Sequence, residues 1–170
     1  MRTKSYFKTL AALAAGALLC SQTALQADPA QAEDDCYNMA VRWTQRGYAM
    51  SPTNYIGLGG SGYTVRFLVP VTRGIDYVFL VGVDNAVLDA DIYVYDEVGN
   101  LILDDRRPDR RAGVRFRSSY TGTANVYVHL ARANGLAAFA VMVGRRGVEK
   151  SVGGAPVDAP AESGAFNPAD

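Results

Sequence analysis

One alternating stretch organises the chain: Leu88-Asp89-Ala90-Asp91-Ile92-Tyr93-Val94-Tyr95-Asp96. Its aliphatic residues alternate with aspartates and tyrosines, and alternate residues of a β-strand point to opposite faces. The stretch therefore predicts a strand with one face on a core and the other in water. The next four residues, 97 to 100, include a glycine and an asparagine, which are favoured in turns. The apolar run Leu101-Ile102-Leu103 follows them. Together these residues predict a β-hairpin.

The fold class follows from the strand runs on either side of this hairpin. Together with the two strands of the hairpin, seven strand runs lie between residues 63 and 146, separated by turns and loops and without helical patterns. Such spacing favours two packed antiparallel sheets. The sequence predicts an all-β, antiparallel, jelly-roll-like β-sandwich of about seven strands with one short N-terminal helix. The expected core is Val65, Phe67, Tyr77, Phe79, Val81, Ile92, Val94, Leu101, Val114, Phe116, Val126, Val128, Leu130, Phe139, Val141 and Val143.

The first 27 residues have the pattern of a secretory signal peptide. Three basic residues precede an apolar run, 9 to 20, which is too short to anchor the chain across a bilayer. Cleavage is expected after Ala27 or Ala32. We therefore expect an exported protein, periplasmic or extracellular, without a transmembrane anchor. Cleavage after Ala27 leaves 14 basic against 17 acidic residues, a mild balance that does not indicate a nucleic-acid partner.

Residues 28 to 62 are expected to form a short helix and a glycine-rich linker. Cys36, Met39, Ala40 and Trp43 make one apolar stripe at helical spacing. Asp34 or Asp35 is expected to cap the helix, which would lie across one end of the β domain. The linker is expected to be a flexible segment that leads into the first strand. Residues 147 to 170 are rich in Ala, Pro, Gly and Ser and are expected to form a disordered tail.

Cys36 is the single cysteine left after cleavage of the signal peptide. It therefore cannot form a disulfide within the chain. Two readings remain, a small buried apolar residue and a disulfide with a second copy.

The stretch from Asp89 to Asp96, followed by Gly99 and Leu101, resembles the core of bacterial pre-peptidase C-terminal domains. Residues 75 to 79, 122 to 130 and 135 to 143 resemble neighbouring strands of that family. The resemblance implies a jelly-roll-like sandwich of secreted proteins that is usually appended to a catalytic domain and sometimes binds calcium or an extracellular matrix. This chain departs from the family pattern, since no peptidase precedes the domain and Ala124-Asn125 interrupts the Gly-Thr-Tyr strand.

The candidate ligand surface is an outward face rich in tyrosine. Flat aromatic rings with polar tips suit stacking on sugars or contact with a protein. If their strands share one sheet, the face contains Tyr93, Tyr95, Tyr127, His129, Arg115 and Arg117. His129 is the single histidine, and no nucleophile or orienting carboxylate is placed beside it by the sequence. No catalytic site is therefore predicted.

Two charged clusters give further candidates. Asp89 and Asp91 project from one side of the strand, near Asp104 and Asp105 if the hairpin forms, and such oxygen ligands suit Ca²⁺. Two carboxylates fall short of the six to eight oxygen ligands that calcium takes, so no cofactor is required. The basic run 106 to 111 (RRPDRR) could dock an anionic polymer, or it could be a solvated loop neutralised by its aspartates.

The sequence thus favours a non-enzymatic exported module that binds or scaffolds a protein or polysaccharide of the envelope or extracellular space. The alternative is a calcium-stabilised accessory domain that assists a separately encoded secreted hydrolase.

Overall fold

The computed structural model describes residues 26 to 52 and 55 to 147, together with the backbone of 164 and 165. The predicted signal peptide, apart from residues 26 and 27, and most of the predicted tail lie outside these residues. The elements are α1 (Pro29–Gln45), β1 (Ala49–Met50), β2 (Tyr55–Gly59), β3 (Tyr63–Val71), β4 (Asp76–Val83), β5 (Val87–Tyr95), β6 (Leu101–Asp105), β7 (Ala112–Arg117), β8 (Gly122–Ala133), β9 (Ala137–Arg146) and β10 (Gly164–Ala165). Within the described ranges, α1 is too short and too polar to cross a bilayer.

The strands form two antiparallel sheets packed face to face, which confirms the predicted all-β sandwich with one helix. Sheet A has the order β1-β9-β4-β7-β10, with β2 also paired to β9. Sheet B has the order β3-β8-β5-β6. From β2 to β9 the chain crosses between the sheets at every connection except the β5–β6 hairpin. This repeated crossing gives the fold its jelly-roll-like character.

The alternating stretch forms β5, and its apolar side chains face the second sheet as predicted. Ala90, Ile92 and Val94 are at most 1% exposed and belong to the core between the sheets. The hairpin is also confirmed, because β5 pairs with β6 in antiparallel register and Tyr95 lies opposite Leu101. A register shift next to Tyr95 leaves Leu101 47% exposed on the outer face, so its placement in the core was wrong.

The other predicted core residues lie between the sheets, and Val65 and Phe67 are partly buried at the margin. A second core lies on the outer face of sheet A, because β4 and β9 bury both of their faces. There Val78, Leu80 and Met142 pack against α1. The nearly continuous apolar sequences of β4 and β9 follow from the burial of both faces of these strands.

Helix α1 covers the outer face of sheet A and does not lie across one end of the sandwich, as the sequence analysis expected. Its apolar stripe, including Trp43 at 3% exposure, packs on the second core. The cap is Asp28, whose carboxylate accepts a hydrogen bond from the Gln31 amide at 3.0 Å, ahead of Pro29 in the first turn. Asp34 and Asp35 were therefore the wrong capping residues, since the helix begins at Pro29 and both aspartates lie inside it.

The region expected to be a flexible lead-in contains two strands, β1 and β2. Strand β2 pairs with β9 over five residues, from Tyr55 opposite Val141 to Gly59 opposite Ala137. Gly57 lies against the Phe139 ring, where a Cβ atom would collide. Gly57 and Gly59, two of the glycines that suggested a loop, therefore lie where close packing within a strand leaves no room for a side chain. Part of the predicted disordered tail, Gly164–Ala165, pairs with β7.

Candidate functional site

A groove of about 650 Å³ lies on the outer face of sheet B. We call it the tyrosine groove. It is lined by Thr64 and Arg66 of β3, Tyr93 and Tyr95 of β5, Asn125, Tyr127 and His129 of β8, and residues 97 to 99 of the hairpin turn. Four of the six residues predicted for the ligand surface, Tyr93, Tyr95, Tyr127 and His129, are thereby brought together.

Strand register arranges the floor of the groove in three rows that run across the strands. The first row is Thr64, His129 and Asp91, and the second is Arg66, Tyr127 and Tyr93. The third row is Leu68, Asn125 and Tyr95. Residues on one face of neighbouring strands contact each other across such rows. The groove is therefore a product of strand pairing, and its aromatic side chains occupy the second and third rows.

Two tyrosine rings form the centre of the groove. Tyr95 and Tyr127 have ring centroids 5.5 Å apart and planes at 82°, an edge-to-face contact. This arrangement is a favoured geometry for aromatic pairs because the positive edge of one ring meets the negative face of the other. Both residues remain partly exposed. The pair thus holds two aromatic surfaces in a fixed relative orientation while leaving area for a ligand.

Tyr93 and Asp91 form a second polar pair in the same face. The Tyr93 hydroxyl donates to the Asp91 carboxylate at 3.1 Å. Burial, followed by the charge of Asp91, raises the pKa of Tyr93 to about 12. Asp91 is only 8% exposed, and burial raises its pKa, opposed by the hydrogen bond from Tyr93. The expectation that Asp91 faces water was therefore wrong.

His129 makes one described hydrogen bond, between its Nδ1 atom and Thr64 Oγ1 at 2.8 Å. Asp91 lies opposite His129 in the register, but its carboxylate accepts the Tyr93 hydroxyl. A histidine acting as a general base needs a nucleophile on one nitrogen and an orienting group on the other. Thr64 places a hydroxyl on Nδ1, but no described hydrogen bond places an orienting group on the other ring nitrogen. The contact fixes the imidazole ring against β3.

The turn between β5 and β6 closes one end of the groove and is held by Asp96. The Asp96 carboxylate accepts from the Asn100 amide at 2.8 Å, its Nδ2 at 2.8 Å and the Val98 amide at 3.0 Å. These hydrogen bonds, led by the Asn100 side chain, hold the pKa of Asp96 below its usual range. Gly99 has φ +92°, which favours glycine. Asn125 Nδ2 donates to the Asp96 carbonyl at 2.7 Å and ties the turn to the floor.

Arg115 and Arg117 do not belong to this face, which corrects the sequence prediction. Both lie on β7 in sheet A, whereas the tyrosines lie on β5 and β8 in sheet B. Arg115 is opposite Val78, a residue of the core beneath α1. The positive charge that lines the groove comes from Arg66 instead.

The calcium prediction rests on Asp89 and Asp91 alone. Asp104 forms an ion pair with Arg106, and Asp105 is buried on the inward side with Arg107 Nε at 2.9 Å. Within residues 26 to 52 and 55 to 147, no three His, Cys, Asp or Glu side chains form a group suited to a metal ion.

The basic loop, residues 106 to 111, forms hydrogen bonds and ion pairs with other parts of the chain. Arg107 donates to Asp105, and Arg110 Nη2 donates to the Asp84 carbonyl at 3.0 Å. Arg111 forms an ion pair with Asp35 of α1. Because these guanidinium groups have carboxylate or carbonyl partners within the chain, the loop joins the two sheets and the helix and does not present an unpaired basic patch.

Sequence reasoning missed six groove residues: Thr64, Arg66, Asn125 and the turn residues 97 to 99. Alternation along β3 already places Thr64 and Arg66 opposite to Val65 and Phe67, so their outward direction was visible. What the sequence lacked was the pairing of β3 with β8, which brings them beside Tyr127 and His129.

Comparisons with known proteins find a likeness to solved structures. No protein-family model matches the chain. No curated protein matches it either. Among solved structures, it is similar to a periplasmic lysozyme inhibitor of g-type lysozyme, PliG from Aeromonas hydrophila. The identity is 12% and the TM-score is 0.44, over 58% of this chain and 86% of that chain. The likeness to pre-peptidase C-terminal domains stays a prediction.

Proposed function

We propose that this protein is an exported, non-enzymatic binding module that holds a glycan of the cell envelope or extracellular space in the tyrosine groove. The observation that carries the proposal is the Tyr95–Tyr127 pair, with centroids 5.5 Å apart, in a groove of about 650 Å³ on a sheet surface. Each ring offers a flat carbon surface with a hydroxyl at its edge. A pyranose ring has the matching pattern of C–H faces and peripheral hydroxyls.

The polar lining supports a hydroxyl-rich ligand. Arg66 only donates hydrogen bonds, Glu97 as a carboxylate only accepts them, and Asn125 does both. Sugar hydroxyls also donate and accept, so they can satisfy all three kinds of group. A lipid tail would cover Arg66 and Glu97 without offering them hydrogen-bond partners, at a cost in free energy.

The contacts of the titratable groups support binding over catalysis. His129 is held by Thr64, and the Asp91 carboxylate accepts the Tyr93 hydroxyl. Neither arrangement combines a nucleophile with an activating base and an orienting group. The groove side chains are therefore assigned to ligand contact.

The proposal is tested by retention of the protein on purified peptidoglycan and on chitin in a sedimentation assay. Removing a central aromatic anchor from a binding surface commonly costs more than about 1 kcal/mol. Tyr95→Ala with Tyr127→Ala is therefore expected to weaken retention by at least about tenfold. The matched control is Tyr37→Ala on α1, a residue that is 45% exposed and outside the groove.

Equal retention of the double variant and wild type would contradict the assignment of the groove. Crude envelope material treated with a protease provides a second arm. If protease treatment abolishes retention while purified glycans never bind, the partner is a protein and the glycan proposal fails. Urea denaturation of each variant checks that lost retention does not reflect unfolding.

A further inference from the structure

Exposed apolar side chains concentrate around strand β2. Among residues 26 to 52 and 55 to 147, ten large hydrophobic side chains are exposed, and half of them lie on β2 or next to its end. These five are Tyr55, Ile56, Leu58, Tyr63 and Leu136. Tyr55 and Tyr63 contact the Phe139 ring, whereas Ile56 and Leu58 lie on the other face of β2. Exposed apolar side chains that lie together can mark an interaction surface.

Strand β2 is also an open edge of sheet A. It pairs with β9 on one side, and no described strand pairs with its other side. Its sequence, YIGLG, contains no charge and no proline. The edge strand β3 carries Arg66 and Pro70, and the edge strand β6 carries Asp104 and Asp105. Charges and prolines on edge strands block pairing with other chains. Strand β2 lacks both of these protections.

The outward face of β2 lies beside α1. Ile56 is opposite Ala140 and Leu58 is opposite Ala138, and both alanines pack beneath the helix. Ile56 and Leu58, at 43% and 46% exposure, therefore extend the helix-covered face of the sheet beyond the helix itself. These side chains lie next to the unpaired backbone edge of β2. A second extended strand at this edge would therefore form backbone hydrogen bonds with β2 and apolar contacts with Ile56 and Leu58.

We propose that β2 is the interface between two copies of this protein, which pair antiparallel about a two-fold axis at Gly57. In this register Ile56 of one copy lies opposite Leu58 of the other, and the four side chains form one apolar cluster. Because β2 has no charged residue, the two-fold axis brings no like charges together. A self-complementary patch of this kind is what a symmetric dimer requires. Sheet A then continues from one copy into the next.

The expected dimer is concentration-dependent. A stable interface buries roughly 1,200–2,000 Å² in total, and the pairing of two five-residue strands is a small interface by that standard. Sedimentation velocity from low to several hundred micromolar protein is therefore expected to show a shift from one chain mass towards two.

Lysine substitutions locate the interface. Ile56→Lys with Leu58→Lys places like charges opposite each other and is expected to keep the protein monomeric at every concentration. The matched control is Leu68→Lys on β3, which is 58% exposed and lies on sheet B, and it is expected to dimerise like wild type. If the double variant does not fold, as judged by circular dichroism, the single Leu58→Lys variant replaces it.

Cysteine cross-linking tests the register. An equimolar mixture of Ile56→Cys and Leu58→Cys should form a disulfide-linked dimer at least several-fold faster than either variant alone, because only unlike positions face each other within the distance a disulfide spans. A monomer at all concentrations, a dimer unaffected by lysines on β2, or equal cross-linking of mixed and unmixed samples would overturn the proposal. Since the tyrosine groove lies on the other sheet, none of these outcomes decides the glycan assay.

Discussion

Replacing Asp84 by alanine should destabilise the whole fold, because this buried carboxylate joins three parts of it. Asp84 is 1% exposed and follows β4 directly. Its Oδ2 atom accepts from the Asp28 amide at 2.9 Å and from the Ala138 amide at 2.8 Å. Its Oδ1 atom accepts from the Ala86 amide at 3.0 Å. One side chain thus connects the start of α1, the β4–β5 turn and β9.

The expected loss of stability follows from these three hydrogen bonds. The Ala86 and Ala138 bonds are buried, so both amides lose their acceptor in Asp84→Ala. A buried donor left unsatisfied costs about 1–3 kcal/mol, which gives about 2–6 kcal/mol for the pair. The Asp28 amide is only partly buried and can bind water instead. Against the roughly 5–15 kcal/mol that stabilises a typical domain, this loss is large.

Urea denaturation measures this loss with two independent signals. Trp43, the single tryptophan, lies in α1 at 3% exposure, so its fluorescence reports on helix docking. Far-ultraviolet circular dichroism reports on the sheets. Asp84→Asn should fall between alanine and wild type, because the amide keeps one acceptor oxygen.

The matched control is Asp104→Ala, whose ion pair with the exposed Arg106 should contribute at most about 1 kcal/mol. A loss below about 1 kcal/mol for Asp84→Ala, or a loss no larger than that of Asp104→Ala, would refute the assignment of Asp84 as the joining residue.

Four further outcomes follow from the structure. Gly82→Ala should cost at least about 1–3 kcal/mol and shift the tryptophan fluorescence, because its Cβ would collide with the backbone of Ala32 and Cys36 in α1; unchanged urea curves would contradict this packing. Cys36 should stay unreactive towards DTNB until the protein unfolds, since the thiol is buried and burial raises its pKa to about 12; prompt labelling in native buffer would count against it and reopen the disulfide with a second copy. Asp91→Asn should be more stable than wild type at neutral pH. The raised pKa of Asp91 means that the folded wild type binds its proton more tightly than the unfolded chain does, so wild-type stability decreases as the pH rises through that pKa. The stability gain of the variant should therefore vanish as the pH falls below about 4. A gain independent of pH would exclude ionisation as the cause. Calcium or EDTA should leave the melting temperature unchanged, because Asp89 and Asp91 alone cannot supply a calcium shell; a rise of several degrees with calcium would restore the accessory-domain hypothesis.

The sequence by itself determined the seven strands between residues 63 and 146 and, apart from Leu101, the direction of their core side chains. The period of two in residues 88 to 96 is a local property, and it correctly placed Ala90, Ile92 and Val94 inside. Turn residues marked the β5–β6 hairpin for the same reason, since Gly99 must adopt a positive φ. The four groove residues predicted from alternation, including Tyr93 and His129, do share one face.

Only the tertiary structure decided which strands share a sheet. Alternation assigns a side chain to one face of its strand, but strand partners are chosen by contacts between distant parts of the chain. Arg115 therefore lies on the other sheet, contrary to the prediction, and Arg66 lies in the groove because β3 pairs with β8. The position of α1 was likewise beyond local reasoning, because only the assembled sheet A creates the outer apolar face that the helix covers.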